Sequence, residues 1–321
     1  MRERWRCDPA IVRRALALFL LIATASAHAD PLPDPNDDKH PIASVAIMGG
    51  LYLGFSSWAY AAWYAKHKPL GYFKWGGDGW LGDRTYAGGA DKFGHAWATM
   101  SLARAGTLVL SDYGGYDHRA SSLISAALAE SLFFFVEVKD GFFYEFSFSD
   151  LTGDTAGAIA AVLLDNFPRL DEMFDYRVQY FPSHEYLDNA SHGNGYSRLN
   201  IAEDYSGETY LLAYHLGSIH ALDQYKPWPK FVDLCLGFET RGYKPSPPMG
   251  YPPNDHHQNM FIGVSFNAQG FFDWLFTDKA PHRTARKITH GMFEIFNLPY
   301  TSHSLLEYSR EPNGTVMTGG A

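Results

Sequence analysis

Cysteine is almost missing from this chain of 321 residues: there are two, Cys7 and Cys235. Cys7 precedes the first apolar run, where it is misplaced for lipid attachment, and removal of that segment leaves Cys235 alone. An intramolecular disulfide framework is therefore excluded. Cations are scarce as well, with 26 Lys and Arg against 35 Asp and Glu, a net charge of −9. A nucleic-acid partner needs a basic surface, so none is expected. No nucleophile motif is evident: the sequence contains no G-x-S-x-G elbow, no H-E-x-x-H helix and no phosphate-cradling glycine loop. It has no internal repeat.

The N-terminus is what the chain does have. Arg2, Arg4, Arg6, Arg13 and Arg14 precede an apolar run from Ala15 to Thr24, and Ala27-His28-Ala29 fits a small-residue cleavage pattern. Residues 1–29 read as a secretory signal. Five of the 26 cations lie there, so the remainder is more acidic still. Export without disulfides suits a bacterial periplasm or cell-envelope membrane of the Gram-negative type. Residues 30–41, with Pro31, Pro33 and Pro35, read as an extended linker.

Helical pattern dominates residues 42–168. Ile42 to Ala65 runs 24 residues without a charge. At about 1.5 Å per residue that is enough to cross a bilayer core of about 30 Å. Tyr60, Trp63 and Tyr64, then Lys66 and Lys68, form an interfacial ending. A buried bundle helix is the competing reading, and Gly49, Gly50 and Gly54 suit close packing in either case. A glycine- and aromatic-rich loop fills Pro69 to Ala90, long enough for a lid or binding loop. Three more helices are expected, from about Lys92 to Leu110, Ala120 to Val138 and Asp150 to Asn166, the last stopped by Pro168.

Beyond residue 169 the period changes to two. Val232, Leu234, Leu236 and Phe238 alternate with polar or small residues, as do Met260, Ile262, Val264 and Phe266, and Tyr210, Leu212 and Tyr214. Three or four strands predict a small antiparallel meander, too few for a closed outer-membrane barrel. Helices over Phe271 to Phe276 and about Arg283 to Phe296 follow. The fold class is α+β: a helical bundle over 42–168, an antiparallel sheet with helices over 169–300, and a loose tail over 301–321.

The chemistry sits at the helix ends. Asp91 and His95 are four apart and share a face, with Lys92 offset. Asp91 alone would serve as an N-cap with Lys92 exposed, and a lone histidine in an apolar helix is commonly a core residue. Glu130 and Glu137 are seven apart on the third helix, among phenylalanines, where an unpaired acid is costly. Asp140 suits a turn before Gly141. On the fourth helix Ser149 suits an N-cap and Asp150 suits the helix dipole. Asp154 lies one turn deeper, beside Gly157, which lets another helix approach.

In an antiparallel bundle Asp91, Lys92, His95, Glu137, Asp140, Asp150 and Asp154 converge at one end. His95, Asp150 and Asp154 are candidate ligands for a divalent metal. His95 as base with Glu137, Asp150 or Asp154 as acid is a candidate catalytic set. A buried ion network that fixes helix register is the third reading. His256-His257, in a Pro/Asn loop, is a weak metal cue and reads as exposed.

Asp91-Lys92-x-x-His95, then the acids ending the next helix, then Ser149-Asp150-x-x-x-Asp154-x-x-Gly157, resemble a bacterial family of predicted periplasmic lipoproteins, a domain of unknown function. Asp204-Tyr205-Ser206-Gly207-Glu208-Thr209-Tyr210 and Pro229 to Gly242 look like the second half of its longer members. A more distant similarity is to VanZ-like membrane proteins, which this chain departs from in carrying Asp154 where they show Asn. The resemblance implies an envelope location and a site at the helix ends, and no reaction. Two functions are expected to compete. One is a non-catalytic protein that binds a membrane lipid or envelope component. The other is a hydrolase-like enzyme acting on a lipid-linked or cell-wall substrate through His95 and Asp150/Asp154.

Overall fold

A computed structural model describes residues 39–65, 71–77, 79–82, 85–192, 198–246, 255–276, 282–310 and 316–320. The expected signal and most of the linker lie outside these residues.

Helix α1 (Pro41–Ala59) begins with proline in its first turn and closes in a wider turn over Tyr60–Tyr64. It is apolar all round, and only Ser44, Met48 and Ala59 are buried along it. Ile42 (86% exposed) and Leu53 (71%) face outward. Gly49, Gly50 and Gly54, expected at a close helix contact, have nothing within 4 Å of where a Cβ would stand. The close contacts are at Gly106 and Gly114, against Met48 and Ser44. By length and composition, Pro41–Tyr64 and His118–Phe143 are long and apolar enough to cross a membrane.

Helices α2 (Ala90–Leu108), α3 (His118–Phe143) and α4 (Phe148–Asn166) form the bundle. Asp117 caps α3 by accepting from the Ala120 N–H at 2.8 Å. A two-residue parallel ladder joins β1 (Trp75–Gly76) to β2 (Phe146–Ser147), just ahead of α4. The shared core is built of small residues, Ala103, Ala126, Ala129, Ala158 and Ala161, with Met100 and Leu164. Small side chains bring the backbones close, so dispersion contacts replace bulk.

A short helix α5 (Pro168–Met173) leads into the sheet. Its strands are β3 (Phe174–Tyr180), β4 (Glu208–His215), β5 (Val232–Arg241), β6 (His257–Phe266), β7 (Phe296–Asn297), β8 (Ser302–Arg310) and β9 (Val316–Gly320). Helix α6 (His184–His192) lies between β3 and β4, and α7 (Ala268–Leu275) and α8 (His282–Ile295) lie between β6 and β7. The order is β7-β3-β4-β5-β6-β8-β9, antiparallel except for the β3–β7 pair. The sheet is larger than the expected meander. Residues 302–310, expected within a loose tail, pair with β6 along their length. His256, expected exposed, is half-buried and stacks on Tyr243 at 4.1 Å, while His257 opens β6.

Helix α2 is clasped from two sides. Its Phe93 stacks on Phe238 at 4.5 Å and on Tyr210 at 5.9 Å, so sheet and bundle share apolar packing through this helix. Full burial of a phenylalanine contributes about 1.5–3 kcal/mol, and Phe93, partly buried, gains a share of that. Past α2 the same sheet face is bare. Leu212, Leu236, Ile262 and Leu306 are cross-strand partners in one row, and all four are exposed.

Candidate functional site

Four glycines place the site. Gly88 (φ +63°) and Gly89 (φ +86°) turn the chain into α2 through the left-handed region, and a Cβ on Gly89 would stand 2.4 Å from the Trp80 carbonyl. Gly153 and Gly157 then bring α4 against α2. Their Cβ atoms would stand 2.7 Å from the Lys92 carbonyl oxygen and 2.1 Å from that of Ala96. No side chain fits there, so the two backbones touch and their acids and bases are forced together.

His95 Nδ1 lies 3.0 Å from Asp154 Oδ1. Thr99, one turn on, donates its hydroxyl to the same oxygen at 2.9 Å. Asp154 is wholly buried, and its Oδ2 has no hydrogen-bond partner among the described residues. On the other side of the imidazole, Nε2 is 3.8 Å from Glu137 Oε1. Glu137 is held by the Ser147 backbone N–H, which donates to Oε2 at 3.1 Å. One ligand atom from each of His95, Glu137 and Asp154 lies within 4.8 Å of the other two. The His95 side chain is 18% exposed, so the cluster reaches the surface through its ring.

Beside this group Lys92 Nζ bridges Asp91 Oδ2 at 2.8 Å and Asp150 Oδ1 at 2.9 Å. The expected exposed lysine is buried, because two carboxylates solvate its ammonium in place of water. Burial, then Asp150, push the Asp91 carboxyl up to about 7, against the pull of Lys92 and His95. For His95, burial disfavours the imidazolium, but Asp154, Asp150 and Glu137 together outweigh it and hold the ring well above its ordinary value. Four acids surround one ammonium and one imidazole, and burial raises the Glu137 carboxyl as well, to about 8, against the pull of His95.

Other expected members fall at the margin. Asp140 lies inside α3 rather than in a turn, and accepts from the Tyr64 hydroxyl, tying the end of α1 to α3. The cap of α4 is Ser147, not Ser149; its hydroxyl accepts from the Asp150 N–H at 3.2 Å, and the two serine hydroxyls lie 2.9 Å apart. Glu130 accepts from Thr155 and stands outside the group. Thr99 and Ser147 were missed. Thr99 had a signal, since Asp91, His95 and Thr99 form one stripe at spacing four.

Residues 77–166 match the family model described as predicted periplasmic lipoprotein (DUF2279). The stretch contains α2, α3, α4 and every residue of the cluster, and it stops where α4 stops. The predicted periplasmic lipoprotein description agrees with the envelope location read from the sequence, and it names no activity. The likeness read at residues 204–242 lies beyond the matched stretch, and a VanZ-like relationship is not shown by it. No curated protein and no solved structure matches the chain.

A second buried polar group lies on the far face of the sheet. His215 bridges Asp233 (Nδ1 to Oδ1, 2.7 Å) and Asp175 (Nε2 to Oδ2, 3.1 Å). Arg177 binds both acids, and the Asn267 amide donates to Asp233 at 2.7 Å. Burial opposes the imidazolium, but hydrogen bonds to Asp175 and Asp233 raise His215 to about 9. The group's two cations and two anions balance in charge and tie β3, β4 and β5 together, as a structural lock does.

Proposed function

We propose that this is a divalent-cation-binding protein of the cell envelope, with His95, Glu137 and Asp154 as the ligands. The observation that carries the reading is the 3.8 Å separation of His95 Nε2 and Glu137 Oε1, with the buried Asp154 alongside. That separation is too long for a hydrogen bond. Two ligands each about 2.1 Å from a shared ion would stand at about this spacing.

One imidazole and two carboxylates suit Zn²⁺ or Mn²⁺ better than a soft metal. The groups that hold them are also present: Ser147 N–H fixes Glu137, and Thr99 fixes Asp154. Were an ion bound by these three residues, the chemistry it would supply is the acidification of a bound water toward neutral pH. The chemistry this supports is hydrolysis of a lipid-linked or cell-wall substrate. The bare apolar faces of α1 and of the sheet support a lipid or envelope partner beside the site.

Metal analysis of the purified protein is the direct test. The reading expects about one equivalent of Zn²⁺ or Mn²⁺, lost in Asp154→Asn and Glu137→Gln while the fold persists. A protein that takes up no metal, and whose melting temperature is unmoved by any divalent cation, would leave the cluster as an ion network that fixes helix register.

A further inference from the structure

The sheet face opposite α2 carries a second site, remote in chemistry from the acid cluster. Gln179, Thr209, Glu239, Asn259 and Ser309 are successive cross-strand partners on β3, β4, β5, β6 and β8. They make one polar row across five strands. Its members fix one another. The Thr209 hydroxyl donates to Glu239 at 2.7 Å, the Asn259 amide faces the other Glu239 oxygen at 3.4 Å, and the Ser309 hydroxyl donates to Asn259 at 3.0 Å.

Above the row lies a cavity of about 610 Å³ that includes Gln179, Thr209, Glu239 and Asn259 in its lining. That volume fits a ligand of a few rings. One wall is aromatic. Tyr300 is 75% exposed, its ring centroid 5.0 Å from that of Phe181, and both line the cavity. Tyr300 holds a left-handed backbone (φ +61°), a conformation that non-glycine residues adopt at a cost and that clusters at functional sites.

We propose that this cleft binds a saccharide. A sugar ring offers hydroxyls that both donate and accept, in a plane, with an apolar C–H face. The cleft supplies the complement: amides, hydroxyls and a carboxylate in a fixed row, and an exposed aromatic ring beside it. Other ligand classes fit less well. Among the described residues the lining holds one arginine and no lysine, and that Arg241 already pairs with Glu239 at 2.6 Å, so a phosphate meets no unpaired guanidinium or ammonium there. The row lies on a sheet face and not along an edge, so a peptide cannot add as a strand.

Two glycan sources meet this chemistry in an envelope, the cell-wall backbone and the lipopolysaccharide core. Calorimetric titration of the mature full-length protein with the β-1,4 trimer of N-acetylglucosamine, and separately with core oligosaccharide, distinguishes them. Binding of one or both is expected. Tyr300→Ala is expected to weaken it at least ~10-fold, Tyr300→Phe to retain it, and His95→Gln to leave it unchanged, with inorganic phosphate failing to compete. Failure of both glycans to bind at millimolar concentration, or wild-type affinity in Tyr300→Ala, would overturn the proposal.

Discussion

Asp154 meets His95 at 3.0 Å across 59 residues because Gly157 lets the backbone of α4 touch that of α2 at Ala96. The pair is a consequence of missing side chains as much as of the charged ones.

Gly157→Ala tests that cause. Its Cβ would stand 2.1 Å from a backbone carbonyl oxygen, which has no rotamer to escape into. A loss of about 1–3 kcal/mol in denaturant unfolding is expected, with cation binding lost as the helices part. Gly50→Ala is the contrast. Its Cβ meets nothing, and alanine's better helix propensity should leave stability unchanged or raise it by about 0.5–1 kcal/mol.

Lys92 lies between two acids, Asp91 and Asp150, so its removal leaves buried carboxylates facing each other. Lys92→Met is expected to cost about 3–5 kcal/mol. Adding Asp91→Asn should recover part of that loss. A double-mutant cycle measures the recovery, and strictly additive losses would separate the two residues.

His215 sets a pH dependence of stability. Its folded value, about 9, lies above its ordinary value near 6.5, so the proton is bound more tightly in the folded state. The stabilisation is fully present below pH ~6.5 and is lost as pH rises through ~9, amounting to roughly 3 kcal/mol. Asp175 works in the opposite direction. Burial opposes its charge, but Arg177 and His215 hold it down at about 2. Its contribution is present above pH ~4 and fades toward pH 2. Unfolding free energies at pH 6, 8 and 10 should therefore fall in that order, and His215→Gln should flatten the slope.

The exposed rows on α1 and the sheet predict lipid contact. The protein should float with liposomes, and Leu53→Glu and Leu236→Glu should each reduce that fraction several-fold without lowering the melting temperature. Equal flotation of the variants would remove lipid as the occupant of these faces.

The sequence disclosed these elements unevenly. The helices were readable because capping residues and proline punctuate apolar stretches of the right length. The approach of α4 to α2 was readable from Gly157 beside an acid. Strand β8 was not, since Ser302–Arg310 alternates only in part and gains its partner from β6, some 45 residues earlier. The burial of Lys92 was hidden for a similar reason: nothing within one turn of it shows that Asp150 will arrive from another helix. Ser149 drew the cap assignment away from Ser147 because the two-residue ladder with Trp75-Gly76, which places Ser147 at the helix start, is non-local.

Nitrogen-15 NMR of His95 tests the central claim most directly. Without a cation, Asp154, Asp150 and Glu137 favour the protonated ring. With Zn²⁺ added, the account expects the signal of one ring nitrogen to move to the position of a metal-bound nitrogen. An imidazolium spectrum that does not change at saturating Zn²⁺ or on chelation would contradict it.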